Sequence, residues 1–148
     1  MKMREILFRG KRADNGEWVE GDLLQTRYHS GHIEYQIMPQ TLTAGVYRVL
    51  PETVGQYTGL TDKNGKRIFE GDIVKNNWCF IYSPSVVRFG EYFQQFNDDI
   101  HTKHIGFYIE HSGKHMNTCM HDLGYFANKC EVIGNIRDNP ELLGKEDT

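Results

Sequence analysis

The chain has 148 residues, 39% hydrophobic, 12% aromatic and 25% charged, and its 17 basic and 20 acidic side chains leave a formal net charge of -3. That length fits one domain able to bury a core without a metal or disulfide staple, and the charge balance excludes wholesale coating of nucleic acid, which needs a basic excess. No apolar run approaches the ~18 residues of a membrane span, no apolar segment follows Met1–Glu5 as in a signal peptide, and three cysteines without a CxxC spacing point to a reducing compartment.

Fifteen glycines lie between short apolar, β-branched or aromatic stretches, which predicts a β-rich fold with many turns. Ile6-Leu7-Phe8 reads as a first strand ending near Arg9-Gly10. Asp14-Asn15-Gly16 is a hairpin turn, and Trp18-Val19-Glu20 resumes extended structure. Tyr35–Met38 and Val46–Leu50 follow as strands, then a second turn at Asp62-Lys63-Asn64-Gly65. Ile73–Lys75, Val86–Phe89, Ile105–Ile109 and Glu131–Ile136 complete the strands, while 91–103, polar and aromatic, reads equally as a helical turn or a long loop. Asn139 as N-cap with Pro140 at the first helical position predicts a short C-terminal helix.

One internal echo is present. Asn15-Gly16-Glu17-Trp18-Val19-Glu20-Gly21-Asp22 matches Asn64-Gly65-Lys66-Arg67-Ile68-Phe69-Glu70-Gly71-Asp72 with one residue inserted. It predicts two similar corners, in which Gly21 and Gly71 permit a bend and Asp22 and Asp72 accept hydrogen bonds from nearby backbone amides. A Gly-Asp step before β-branched residues is frequent in small SH3-like barrels. The expected fold is therefore mostly β: a single domain with an SH3-like or half-barrel sheet, extra hairpins and a short C-terminal helix.

Arg4–Gly10, Asn15–Val19, the long block Glu52–Val74, Val132–Ile136 and Asn139–Leu143 resemble the YopX family. The resemblance covers 1–148 as one domain, with its motifs near 4–24, 52–75 and 131–143 and a variable region over 76–129. It implies a small, mostly β protein encoded by bacteriophages and prophages, at work in the cytoplasm of a bacterial host. It carries no reaction, cofactor or catalytic residue with it.

Five of the seven histidines, His101, His104, His111, His115 and His121, fall close together around Cys119. With Ser112-Gly113 as a two-residue hairpin loop, Ile109 faces Met116 and His104 faces His121, and Ile105, Phe107 and Ile109 form a core face. That register predicts a zinc-type site from His104, Cys119 and His121, with Glu110 or His115 beside it. The plainer reading is a solvated hairpin face of neutral histidines, since no compact ligand-pair motif supports the site. Cys79 and Cys130 read as small buried hydrophobes.

No serine sits in Gly-x-Ser-x-Gly, and neither a Walker A nor a GxGxxG pattern occurs. Arg4, Arg9, Lys11 and Arg12 form a basic N-terminal strand that suits phosphate contacts, or an edge protected by charge against aggregation. The expected function is a non-enzymatic accessory module that binds a host or phage protein and uses no cofactor. The alternative is a nucleic-acid-binding module on the basic strand, and the third reading is a metal-dependent enzyme at the histidine face. Self-association is open to exposed strand edges.

Overall fold

The structure, a computed structural model, describes residues 2–41, 45–76, 84–97, 100–113 and 116–144. The chain folds as two compact units, Met1–Gly59 and Leu60–Thr148. The fold is mostly β, in two open antiparallel sheets.

In the first unit, β1 (Phe8–Lys11) lies between β2 (Trp18–Arg27) and β5 (Gly55–Thr61), and β3 (Ile33–Met38) and β4 (Tyr47–Arg48) continue the sheet outward from β2. The β1–β2 turn is local chemistry: the Glu17 amide donates to Asn15 Oδ1 at 2.9 Å, and Gly16 takes a φ of 74°. Leu7, Ile37, Val49 and Tyr57 are buried here. Strand β5 runs across the boundary and ends against β6 (Arg67–Phe69).

The second unit is a five-stranded sheet in the order β10-β9-β8-β7-β11. Its strands are β7 (Asp72–Asn76), β8 (Ser85–Asn97), β9 (Ile100–Gly113), β10 (Met116–Asp122) and β11 (Cys130–Asn135). Ile68, Val74, Val87, Ile109, Leu123, Phe126, Cys130 and Val132 form its core, with Leu60 and Phe107 packed against them. Two buried aspartates hold the β5–β7 segment together. Asp62 Oδ1 accepts from the amides of Asn64 at 2.8 Å and Lys66 at 2.9 Å, and Oδ2 accepts from Val132 at 2.9 Å, tying the β5–β6 turn to β11. Asp72 accepts from the Phe69 amide at 2.8 Å and closes the β6–β7 turn. In that turn Gly71 has a φ of 88°, a left-handed conformation that costs any residue with a Cβ.

The two halves of the sequence echo fold differently. The second copy is the β6–β7 corner, whereas Gly21 and Asp22 lie inside the long strand β2. Gly21 is needed there for space: a Cβ would stand 2.0 Å from the Met38 carbonyl oxygen. Asp22 binds the Gln40 side chain at 2.7 Å rather than a backbone amide.

Two further expectations change. Pro140–Leu143 forms a 3-10 turn, and Asn139 Oδ1 turns back to the Asn135 amide at 3.3 Å instead of capping it. A four-residue helix, α1 (Leu123–Phe126), stands where the sequence reading places none. It is capped by Asp122, which accepts from the Tyr125 amide at 3.1 Å.

Candidate functional site

The segment that the sequence leaves open between helical turn and loop belongs to a long antiparallel ribbon. Strands β8 and β9 pair Val87 with Ile109, Phe89 with Phe107, Glu91 with Ile105, Tyr92 with His104 and Phe93 with Lys103. Alternation then sorts these residues onto two faces.

One face starts in the core, where Val87 and Ile109 are fully buried, and continues outward past it. Along it lie Phe89 (55% exposed), Phe93 (55%) and Ile105 (72%), with Phe107 half-buried. The Phe89 and Phe107 rings meet edge-on with centroids 5.0 Å apart. Lys103 Nζ reaches Glu91 Oε1 at 2.9 Å, so one acid and one base cross the middle of the apolar surface. The sequence reading assigns Ile105, Phe107 and Ile109 together to the core. Only the inner end of that stripe is core: Ile109 is fully buried, Phe107 half-buried and Ile105 exposed.

The opposite face is built inward. His104, Tyr92 and Tyr108 stack in series, with centroids 5.3 and 5.1 Å apart, and both tyrosines are buried. The Tyr92 hydroxyl donates to Asp122 Oδ1 at 2.9 Å, while the other oxygen of Asp122 caps α1. Burial and this carboxylate push the Tyr92 hydroxyl up to about 12. It is protonated at neutral pH, as an ordinary tyrosine is, and serves Asp122 as a hydrogen-bond donor. Thr102 Oγ1 lies 2.9 Å from His104 Nε2, and Arg88 Nε bonds Glu110 Oε2 at 2.8 Å. The polar groups here orient one another.

The expected histidine register is corrected. Strand β10 pairs Cys119 with His111, Met120 with Glu110, His121 with Ile109 and Asp122 with Tyr108. The register slips between Met116 and Cys119, so the shift from the expected pairing is odd and inverts the faces. His121 shares a face with Ile109 and meets the Phe126 ring edge-on at 5.2 Å. His104 pairs with Tyr92 on the other face. The two histidines are thus not brought together. Cys119 is placed by its backbone on the His121 side, and its side chain lies outside the described residues, as do those of His101, His111 and His115. Cys130 is buried, donates its thiol to the Ala127 carbonyl at 3.2 Å, and is pushed up to about 11 by burial first and by the Asp62 charge second. Cys79 lies outside the described residues.

The basic strand is distributed over aromatic rings. The Arg9 guanidinium lies 4.8 Å and the Lys11 ammonium 5.5 Å from the centroid of Trp18. Arg12 holds Asp14 at 2.6 and 3.0 Å and covers the Tyr47 ring at 4.1 Å. Arg4 is exposed ahead of β1.

The first unit also carries an open cleft of about 430 Å³ beside the β2–β3 tip, lined by Tyr28, Ser30, His32, Glu34 and Arg48. Tyr28 donates to Glu34 at 2.7 Å and stacks on His32 with centroids 5.8 Å apart. No sequence signal marks this cleft, whose residues come from two strands and a turn.

A family model described as "YopX protein" matches residues 7–144. Among solved structures, the chain is similar to "protein EF1440 from Enterococcus faecalis". The match has 22% identity and a TM-score of 0.48 and covers 96% of this chain and 100% of that one. No curated protein matches. Among the described residues no helix is long and apolar enough to cross a membrane.

Proposed function

We propose that this chain, which belongs to the YopX family, is a non-enzymatic phage or prophage accessory protein of the bacterial cytoplasm that binds another protein through the outer face of the β8–β9 ribbon. The observation that carries this reading is the exposure of Phe89 and Ile105 beside Phe107 on one face of the ribbon, with Phe93 exposed on the same face across the Glu91–Lys103 pair. Single exposed apolar residues are ordinary, whereas a connected apolar patch marks an interaction surface. A phenylalanine presents about 200 Å² in all, so 55% exposure leaves roughly 110 Å² on each of Phe89 and Phe93. With Ile105 the exposed apolar area reaches roughly 300 Å², the lower end of the range for the largest patch on a typical monomer, which is often functional. Burying it contributes about 7 kcal/mol before the cost of association, at about 25 cal/mol per Å². Exposed aromatic side chains are the anchors that protein contact surfaces favour.

The non-enzymatic part of the reading is supported by what the titratable groups do. Asp62, Asp72 and Asp122 accept backbone amides, and the Tyr92 hydroxyl donates to Asp122. A likeness to SH3-like barrels belongs to the same proposal and rests on the Gly71-Asp72 corner leading into β7.

The experiment is affinity capture from lysates of bacteria, infected and uninfected, with wild type and Ile105→Glu as parallel baits. Ile105 is largely exposed, so the substitution leaves the core intact. The reading expects a captured polypeptide that Ile105→Glu loses. Equal capture by both baits overturns it. The nucleic-acid reading has one observation in its favour, the bracketing of Trp18 by Arg9 and Lys11. It is the weaker one because Arg12 is already neutralised by Asp14.

A further inference from the structure

We infer that the apolar face of the β8–β9 ribbon docks onto the same face of a second copy of this chain, as a weak, reversible dimer. The inference rests on the protein-binding reading above and names the partner. Charge is the first argument. Glu91 and Lys103 sit diagonally on the face, each more than half exposed, 2.9 Å apart. One acid and one base give the face no preference for an acidic or a basic partner. They do make it complementary to itself: a two-fold axis passing between them sets each Glu91 against Lys103 of the partner subunit, and the reverse. A face of a single sign would repel its own copy. Exchange of the pair between copies costs little, because an exposed ion pair is weakly held within one chain.

Area is the second argument. Two copies remove roughly 600 Å² of apolar surface, below the roughly 900 Å² of apolar area in a standard stable interface of ~1,600 Å². The dimer is accordingly of the transient class, with dissociation in the micromolar range or weaker. Geometry is consistent with that size. Phe89, Phe93 and Ile105 stand on the part of the ribbon beyond Val87 and Ile109, whose burial marks where the chain's own core ends.

The test is sedimentation velocity on the full chain over a concentration series reaching the near-millimolar range. Wild type is expected to shift toward the dimer as concentration rises, and Ile105→Glu to weaken association by about tenfold or more, as for an interface anchor. Glu91→Lys and Lys103→Glu, each alone, place two like charges on the face and are expected to stay monomeric. Their equimolar mixture is expected to associate as a heterodimer, an outcome no fault of folding can produce. Circular dichroism establishes that each variant is folded, and Phe89→Ser replaces Ile105→Glu if the latter is not. A wild type that stays monomeric throughout, a dimer indifferent to Ile105→Glu, or a mixture no more associated than its components overturns the inference. If wild type is monomeric yet Ile105→Glu loses a captured protein, self-docking alone fails. If Ile105→Glu changes neither association nor capture, the binding reading fails with it.

Discussion

Asp62→Ala tests how the family block is held together. The carboxylate is 5% exposed and accepts three backbone amides, two from its own turn and one from Val132, seventy positions along the chain. A hydrogen bond to a charged group contributes about 1.5–3 kcal/mol, and such bonds on one acceptor are not additive. The Asn64 and Lys66 amides sit on a turn and can turn to water. The Val132 amide is buried and loses its partner outright. The expected loss is about 3–4 kcal/mol, a large fraction of a typical 5–15 kcal/mol total. Asp62→Asn keeps one carbonyl oxygen and is expected to lose about half as much. Burial pushes the Asp62 carboxyl up, yet the amides of Val132, Lys66 and Asn64 together hold it below its ordinary 3.8. A carboxyl lowered in the folded state stabilises the fold above its unfolded pKa and loses that effect as pH falls through the folded one. Urea unfolding followed by far-ultraviolet circular dichroism at neutral pH gives the loss directly. The gap between wild type and Asp62→Asn is expected to narrow as pH is taken below 3.8. An Asp62→Ala variant within about 1 kcal/mol of wild type, the size of a single ordinary hydrogen bond, refutes this account of the pin.

Four further outcomes follow. Tyr92→Phe removes the bond to Asp122 and is expected to cost about 1–2 kcal/mol in the same urea assay. Because the Tyr92 hydroxyl is raised from 10.0 to about 12, its contribution is complete below pH 10 and is lost as pH rises through 12. An ultraviolet alkaline titration without a tyrosine in that late step would contradict it. Gly71→Ala forces a side chain into the left-handed region and is expected to cost about 1–2 kcal/mol. Gly21→Ala, whose Cβ would meet a carbonyl oxygen at 2.0 Å, is expected to cost more and to lower the urea midpoint further. If the basic strand does meet phosphates, binding of a single-stranded oligonucleotide is expected to fall steeply with salt and to weaken further in Arg4→Ala/Lys11→Ala. Salt-independent binding counts against that interface.

What the sequence made legible was set by local chemistry. The turns at Asp14–Gly16 and Asp62–Gly65 and the Phe69–Asp72 corner form where the residues predict them, because side-chain caps and positive φ act within a few residues. The fate of Glu20-Gly21-Asp22 was hidden because the same tripeptide can bend or extend, and the approach of Met38 decides. Val86–Phe89 and Ile105–Ile109 were legible as strands, but the outer part of the β8–β9 ribbon was hidden because the sequence Tyr92-Phe93-Gln94-Gln95-Phe96 does not alternate apolar with polar residues, the pattern that marks a half-buried strand. The histidine register failed by an odd slip, which moves every side chain of a strand to the other face. The binding surface was therefore visible as residue types, in Phe89, Phe93 and Ile105, but not as an exposed patch. Exposure depends on how far the ribbon runs beyond Val87 and Ile109, and no local pattern encodes that distance.

The measurement that bears most directly on the β8–β9 face is photo-crosslinking in living cells, with a photoreactive aromatic amino acid placed at Ile105 and, as a control, at the exposed Glu17 in the β1–β2 turn. Cross-linked bands are then identified by mass spectrometry. Discrete polypeptide adducts from position 105 and none from position 17 are the predicted result, with this chain itself among the products. No adduct from position 105 at matched expression, or the same adducts from both positions, contradicts the account.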